Sequence, residues 1–103
     1  MIIIVSGGEG EFKAFTEYLK GIGISHKYHY RKDVEAKTVF SIEALHIDLV
    51  SLSLVRDYVE KEKINVKFML EGKEYDVVND YEALRQRVKH VEETEKLTRD
   101  YHP

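Results

Sequence analysis

The feature that most constrains the fold is an apolar run near the start of the chain that stops abruptly at glycines. Residues 2–5 read IIIV, and glycine occupies three of the next five positions. An unbroken run of β-branched residues is typical of a strand buried on both faces. Apolar residues then recur at helical spacing until Gly21, a natural helix stop. We therefore predict a strand over Met1–Ser6, a tight turn, and a helix over Glu11–Gly21.

The next part of the chain alternates between two kinds of side chain, as paired antiparallel strands do. The first alternating segment is Ile24–Arg31 and the second is Thr38–His46, with the polar connection Lys32–Ala36 between them. For the second segment a helix stays open as an alternative, because Ser41 could cap a longer helix with apolar residues at helical spacing. The alternation favours a hairpin of two strands.

The remaining segments add a helix, two short strands and a final helix. Asp48 is a suitable N-cap for a helix that extends to about Lys61. Ile64–Leu70 then alternates cleanly, and a tight turn leads to the short strand Glu74–Val78. From Asp80 onward a charged helix carries apolar residues at heptad spacing.

The first six elements follow the order strand, helix, strand, strand, helix, strand. This order resembles the split β-α-β topology of ferredoxin-like domains, and the resemblance implies an antiparallel sheet with two helices on one face. We therefore predict a single α+β domain over residues 1–103. Residues 1–70 would form a ferredoxin-like β-α-β-β-α-β core, to which residues 71–103 add a hairpin strand and a helix.

Composition narrows the classes of function. The chain has 103 residues, 16 Lys+Arg, 19 Asp+Glu and a net charge of −3, which gives no general attraction to nucleic acid or to membranes. There is no cysteine, which excludes thiolate catalysis and cysteine–zinc sites. No catalytic or metal-ligand spacing stands out, so the sequence favours a non-enzymatic protein without metal or cofactor. The apolar runs are too short for an export signal or a membrane span. We therefore predict a cytoplasmic location.

One hypothesis places an anion or a nucleotide at the glycine turn. Glycines after a strand let the backbone approach a ligand, and a helix N-terminus exposes amide groups. Glu9 and Glu11 argue against this hypothesis, and neither phosphate-loop motif matches. A purely structural turn is therefore favoured. The candidate anion-binding residues are Ser6, Gly7, Gly8, Gly10 and Lys13.

A second hypothesis concerns residues 27–32, which read KYHYRK and interleave basic and aromatic side chains. The candidate nucleic-acid-binding residues are Lys27, His29, Arg31 and Lys32. A hairpin centred on Val34 places Tyr28 opposite Phe40, which predicts that Tyr28 and Tyr30 face the core. The opposite face would then lack an aromatic residue for a base to stack on. Nucleic-acid binding is thus an alternative and not the favoured function.

The third hypothesis is a protein interface. One face of the predicted sheet carries a moderately apolar patch of Val39, Leu45, Met69 and one pair from the first strand, either Ile3 and Val5 or Ile2 and Ile4. Something should cover this patch: the C-terminal helix, a second copy or another protein. That helix has an apolar seam formed by Tyr81, Leu84, Val88 and Val91. The favoured function is a small non-enzymatic binding or regulatory module. It would be a homodimer in which these helices, or the sheet faces beside them, meet antiparallel.

Overall fold

The computed structural model describes the backbone of residues 1–100 and the side chains of residues 1–94. In chain order the elements are β1 (Ile2–Ser6), α1 (Glu9–Gly21), β2 (His26–Val34), β3 (Lys37–Ala44), α2 (Leu49–Glu62), β4 (Asn65–Leu70), β5 (Lys73–Asp76) and α3 (Tyr81–Asp100). The five strands form one antiparallel sheet in the order β2-β3-β1-β4-β5. The predicted α+β class is therefore confirmed.

The whole sheet is not that of a four-stranded ferredoxin-like domain. A fifth strand, β5, extends it at the edge of β4, after a tight turn at Glu71 and Gly72. Three helices contribute side chains to a single core on one side of the sheet: α1 and α2, which the resemblance implies, and the predicted additional helix α3. No helix in the described part of the chain is long and apolar enough to cross a membrane.

The central strand β1 has only one face in the core. Ile3 and Val5 are fully buried, whereas Ile2 and Ile4 are half-buried. Ile3 lies beside Phe68 of β4 and continues a buried row that faces the helices. The helices fill the other side of this core with Phe15, Leu19, Leu52, Val55, Val59, Leu84 and Val88. The expectation of a strand buried on both faces is therefore wrong.

The hairpin of β2 and β3 differs from the prediction in length. β2 continues past Arg31 to Val34, and a two-residue turn at Glu35 and Ala36 leads into β3. Glu35 adopts a left-handed backbone conformation, with φ of 55°, which a two-residue hairpin turn requires. The polar residues after Arg31 therefore extend an edge strand instead of forming a long loop.

The hairpin also differs in register. Tyr28 lies opposite Ile42, and the pairing shifts between Tyr28 and Tyr30. The extra residue is His29, so the strand contains a β-bulge at this point. Because successive strand residues point to opposite faces, one extra residue exchanges the faces of everything that follows. Tyr30 is consequently paired with Ser41.

The start of α2 agrees with the prediction. Asp48 is the N-cap, and its Oδ1 accepts a hydrogen bond of 2.7 Å from the backbone N–H of Ser51. Residues 41–44 belong to β3, so the alternative helix from Ser41 is excluded. This hydrogen bond holds the pKa of Asp48 below its ordinary value of 3.8.

We expect Asp48→Ala to lower the free energy of unfolding by about 1 kcal/mol, because it removes the cap. A carboxyl whose pKa is lowered in the folded state stabilises the protein above its unfolded pKa and loses this contribution as pH falls through the folded pKa. The difference between wild type and variant should therefore shrink as pH falls below 3.8. Urea denaturation across that range measures it. Asp48→Asn, which keeps an acceptor, should retain most of the stability at neutral pH.

The apolar seam of α3 packs inside its own chain. Leu84 and Val88 are 0% and 1% exposed in the common core. The N-terminus of α2 is linked to α3, because the N–H of Leu49 donates to Glu92 Oε1 at 3.2 Å. The side chains that the sequence offered as a surface for a twin helix, Tyr81, Leu84, Val88 and Val91, therefore pack against this chain's own core. The described part of α3 does not cover the other face of the sheet.

Candidate functional site

The face of the sheet opposite the helices is the candidate site, and we call it the open face. Each helix contributes buried apolar side chains to the core on the other side. Strand pairing assigns to the open face Ile2, Ile4, Ser6, Lys27, Tyr30, Lys32, Val39, Ser41, Glu43, Asn65, Lys67, Met69, Glu74 and Asp76.

The centre of the open face is apolar. Ile2 of β1 lies beside Met69 of β4, and Val39 of β3 lies beside Ser6, in the row next to that of Ile4. Ile2, Ile4, Val39 and Met69 are all half-buried. None of them packs against the core cluster on the helical side. An apolar patch of this kind on a small chain marks an interaction site more often than an ordinary wet surface.

Tyr30 adds an aromatic side chain to this face. Its side chain is 50% exposed and lies beside Ser41, which is buried between Tyr30 and Ile4. Tyr28 lies on the helical side, with its ring centroid 6.1 Å from that of Phe12, and is 57% exposed at the sheet edge. The prediction that both tyrosines are in the core is therefore wrong. The bulge at His29 separates them onto opposite faces.

The four predicted nucleic-acid-binding residues are likewise divided between the two faces. Lys27 and Lys32 lie on the open face, and His29 Nε2 is 3.0 Å from Glu43 Oε2 beside them. Arg31 lies on the helical side. Its guanidinium is 5.8 Å from the centroid of Phe40 and 3.9 Å from the carboxylate of Glu9. The basic stretch is therefore not one continuous cationic surface.

Charge is distributed unevenly across the open face. Lys27 and Lys32 lie at the β2 edge, and neither has an ion-pair partner among residues 1–94. Glu74 and Asp76 lie at the β5 edge, where Lys67 Nζ is 3.2 Å from Glu74 Oε1. The face thus has a basic edge at β2, an acidic edge at β5, and an apolar centre in which Glu43 lies beside Ile2 and Lys67 beside Ile4. Exposed pairs of this kind contribute at most about 1 kcal/mol to stability, so the pattern has little structural value.

The glycine turn borders a cavity of about 440 Å³ at the ends of β1, β3 and β4. Three of the five candidate anion-binding residues line it: Ser6, Gly7 and Gly8. Gly10 and Lys13 are not part of the lining, although Lys37 is. The structure therefore brings together only part of the predicted site.

The chain's own acid lies against this turn. The Gly7 N–H donates to the Thr38 carbonyl at 3.1 Å, which fixes the turn against β3. A methyl group at Gly7 would lie 2.5 Å from Glu11 Oε2, so the carboxylate of Glu11 folds over the glycine. A carboxylate in the first turn of α1 satisfies the helix dipole where an external anion would have to bind. This geometry favours a structural turn.

Within residues 1–94 no three His, Asp or Glu side chains are grouped closely enough to hold a metal ion. Comparison of the chain with protein-family models, curated proteins and solved structures gives no match. The open face is therefore the surface whose composition most needs a functional explanation.

Proposed function

We propose that this protein is a small non-enzymatic binding module and that the open face is its interaction surface. The observation that carries the proposal is the composition of β1. A sheet with one solvated face normally alternates apolar and polar residues, yet Ile2 and Ile4 occupy the face opposite the core. An exposed tyrosine beside an apolar centre, with a charged rim, is the composition of a protein–protein interface.

We further propose that residues 1–70 are a ferredoxin-like core to which β5 and α3 were added. The support is that β1 pairs antiparallel with both β3 and β4, while β2 pairs with β3 at the outer edge. Because β5 and α3 add to one edge and to the helical side, this addition leaves the open face uncovered.

The proposal predicts that Ile4→Glu abolishes partner binding, because a carboxylate at the centre of the interface would lose its hydration without gaining a partner. Val50→Glu is the matched control. Val50 is 70% exposed on α2, so the same group is introduced on the other side of the molecule. Wild type and both variants are each immobilised and incubated with an extract of cells that produce the chain. Covalent cross-linking then captures the proteins bound to each of them. Circular dichroism verifies that each variant is folded.

The expected result is a cross-linked species, either a second copy of the chain or another protein, with wild type and Val50→Glu and its loss with Ile4→Glu. An equal yield from all three proteins would contradict the proposal, because the interaction surface would then lie elsewhere.

A second candidate function, single-stranded nucleic-acid binding, is favoured by one specific observation. Tyr30 is 50% exposed on the same face as Lys27 and Lys32, and an aromatic ring flanked by cations can stack a base and hold its phosphates. If this function holds, the affinity for a mixed-sequence oligonucleotide should fall with salt at a logarithmic slope of about −0.7 per phosphate contact. Tyr30→Ala should weaken binding more than Tyr28→Ala. No binding at low salt would eliminate this candidate.

A further inference from the structure

We propose that the occupant of the open face is a second copy of this chain, docked face to face about a two-fold axis parallel to β1. The inference rests on the proposed function of the open face, and it adds the identity and the register of the partner. Its basis is the symmetry of the sheet and the arrangement of charge on this face.

The apolar residues of the open face are centred on β1, the strand that would lie over its own copy in a two-fold dimer. In a two-fold dimer the same patch meets itself, so its apolar centre must lie on the axis. β1 is the middle strand of five, and it carries Ile2 and Ile4 on the open face. Two such sheets pack about 10 Å apart with their strands within roughly 30° of each other. In every aligned two-fold arrangement centred here, β1 therefore lies over β1.

Two arrangements meet these conditions, and they differ in which edges meet. If the axis runs parallel to the strands, β2 of one copy lies over β5 of the other. If the axis lies in the interface but perpendicular to the strands, β2 lies over β2 and β5 over β5. With the axis through the row of Ile4, the second arrangement places Lys27 opposite Lys32 of the other copy, and it brings the two acidic edges together. Like charges across an interface disfavour that arrangement.

The first arrangement pairs opposite charges. Strand pairing places one residue of each strand on one row across the sheet, in the order Lys27, Glu43, Ile2, Met69 and Glu74. Rotation about an axis parallel to the strands places each row of one copy over the same row of the other copy, with the β2 end over the β5 end. Lys27 of each copy then faces Glu74 of the other, Glu43 faces Met69, and Ile2 faces Ile2. Glu43 keeps its contact with His29, and Glu74 its ion pair with Lys67, within each chain.

The next row behaves in the same way. This row consists of Tyr30, Ser41, Ile4, Lys67 and Asp76. The tyrosine hydroxyl would therefore face Asp76 of the other copy, Ser41 would face Lys67, and Ile4 would face Ile4. Asp76 Oδ1 accepts from the backbone N–H groups of Val78 and Asn79 of its own chain, so the hydroxyl can donate to the other oxygen, Oδ2. Both rows therefore select the same arrangement.

The test uses charge reversals at the two edges, measured by sedimentation equilibrium. We expect wild type to dimerise, and Lys27→Glu and Glu74→Lys each to raise the dimer dissociation constant at least about tenfold, because each creates two like-charge contacts. An equimolar mixture of the two variants should regain wild-type association, since both contacts then join opposite charges. Lys61→Glu, which makes the same change of net charge as Lys27→Glu at an exposed position on α2, should dimerise like wild type. Circular dichroism checks the fold of each variant.

Each of the other outcomes overturns the inference in a distinguishable way. Tighter association of Lys27→Glu alone would show that β2 meets β2. A monomeric wild type whose open face cross-links to a different protein would contradict the inference that the occupant is a second copy, and it would leave the proposed function intact. A monomeric wild type whose open face cross-links to nothing would overturn both.

Discussion

Phe15→Ala is expected to lower the free energy of unfolding by about 3–5 kcal/mol. The side chain is 0% exposed in the core, and its ring centroid is 6.0 Å from that of Tyr58 on α2. Truncation would remove this burial and leave a cavity between α1 and α2, which the surrounding side chains can fill only in part. Equilibrium denaturation in urea measures the loss.

Tyr28→Ala is the matched control for this prediction. The side chain is 57% exposed at the sheet edge, so its truncation should cost less than about 1 kcal/mol, as surface substitutions usually do. A smaller loss for Phe15→Ala than for Tyr28→Ala would contradict the assignment of these two residues to core and edge.

Val88→Glu should lower the stability by a comparably large amount. Whether it unfolds the protein or only dissociates a dimer distinguishes packing of α3 on its own chain from packing on a twin helix. Val88 is 1% exposed in the core of its own chain, so an unpaired carboxylate there should lower the free energy of unfolding by roughly 3–5 kcal/mol. Small domains have only about 5–15 kcal/mol of stability in total. Gln86→Glu, which adds charge at an exposed position of the same helix, should leave stability almost unchanged. Thermal unfolding of both variants provides the comparison.

The opposite result would be that wild type is a dimer and that Val88→Glu is a folded monomer of wild-type stability. That would place the seam of Tyr81, Leu84, Val88 and Val91 between subunits, and it would contradict the packing of α3 on its own chain.

Local chemistry predicted several of the elements well. Asp48 caps α2 because a short acceptor precedes an amphipathic segment, and the hydrogen bond to Ser51 is formed as that rule requires. The alternation of Ile64–Leu70 correctly placed Met69 on the side opposite the core. These predictions succeeded because each depends on a pattern within one segment.

Register in β2 could not be predicted in the same way. Hydrophobic alternation specifies register only where one face of a strand is buried, and β2 is exposed along almost all of its length. Nothing in the run from Lys27 to Lys32 therefore signalled that His29 is an extra residue. The bulge exchanged the faces of Tyr30 and Arg31, and with them the composition of the candidate site.

The role of the α3 seam was equally open in the sequence. A narrow apolar stripe at heptad spacing has the same appearance whether the helix packs on its own domain or on a twin. The deciding contacts lie far away in the chain, such as the hydrogen bond from Leu49 to Glu92 and the guanidinium of Arg56, 4.2 Å from the centroid of Tyr81. Because these contacts bury the apolar seam of α3 within its own chain, the open face replaces it as the candidate interface.

The most direct test of the central claim, that the open face docks a second copy, compares Tyr30 with Tyr28 by hydroxyl-radical footprinting. The two side chains are 50% and 57% exposed and lie on opposite faces of the same strand, so they should label similarly in dilute protein. As the protein concentration rises, labelling of Tyr30 and Met69 should fall while labelling of Tyr28 stays constant. Equal labelling of Tyr28 and Tyr30 at every concentration would contradict the claim.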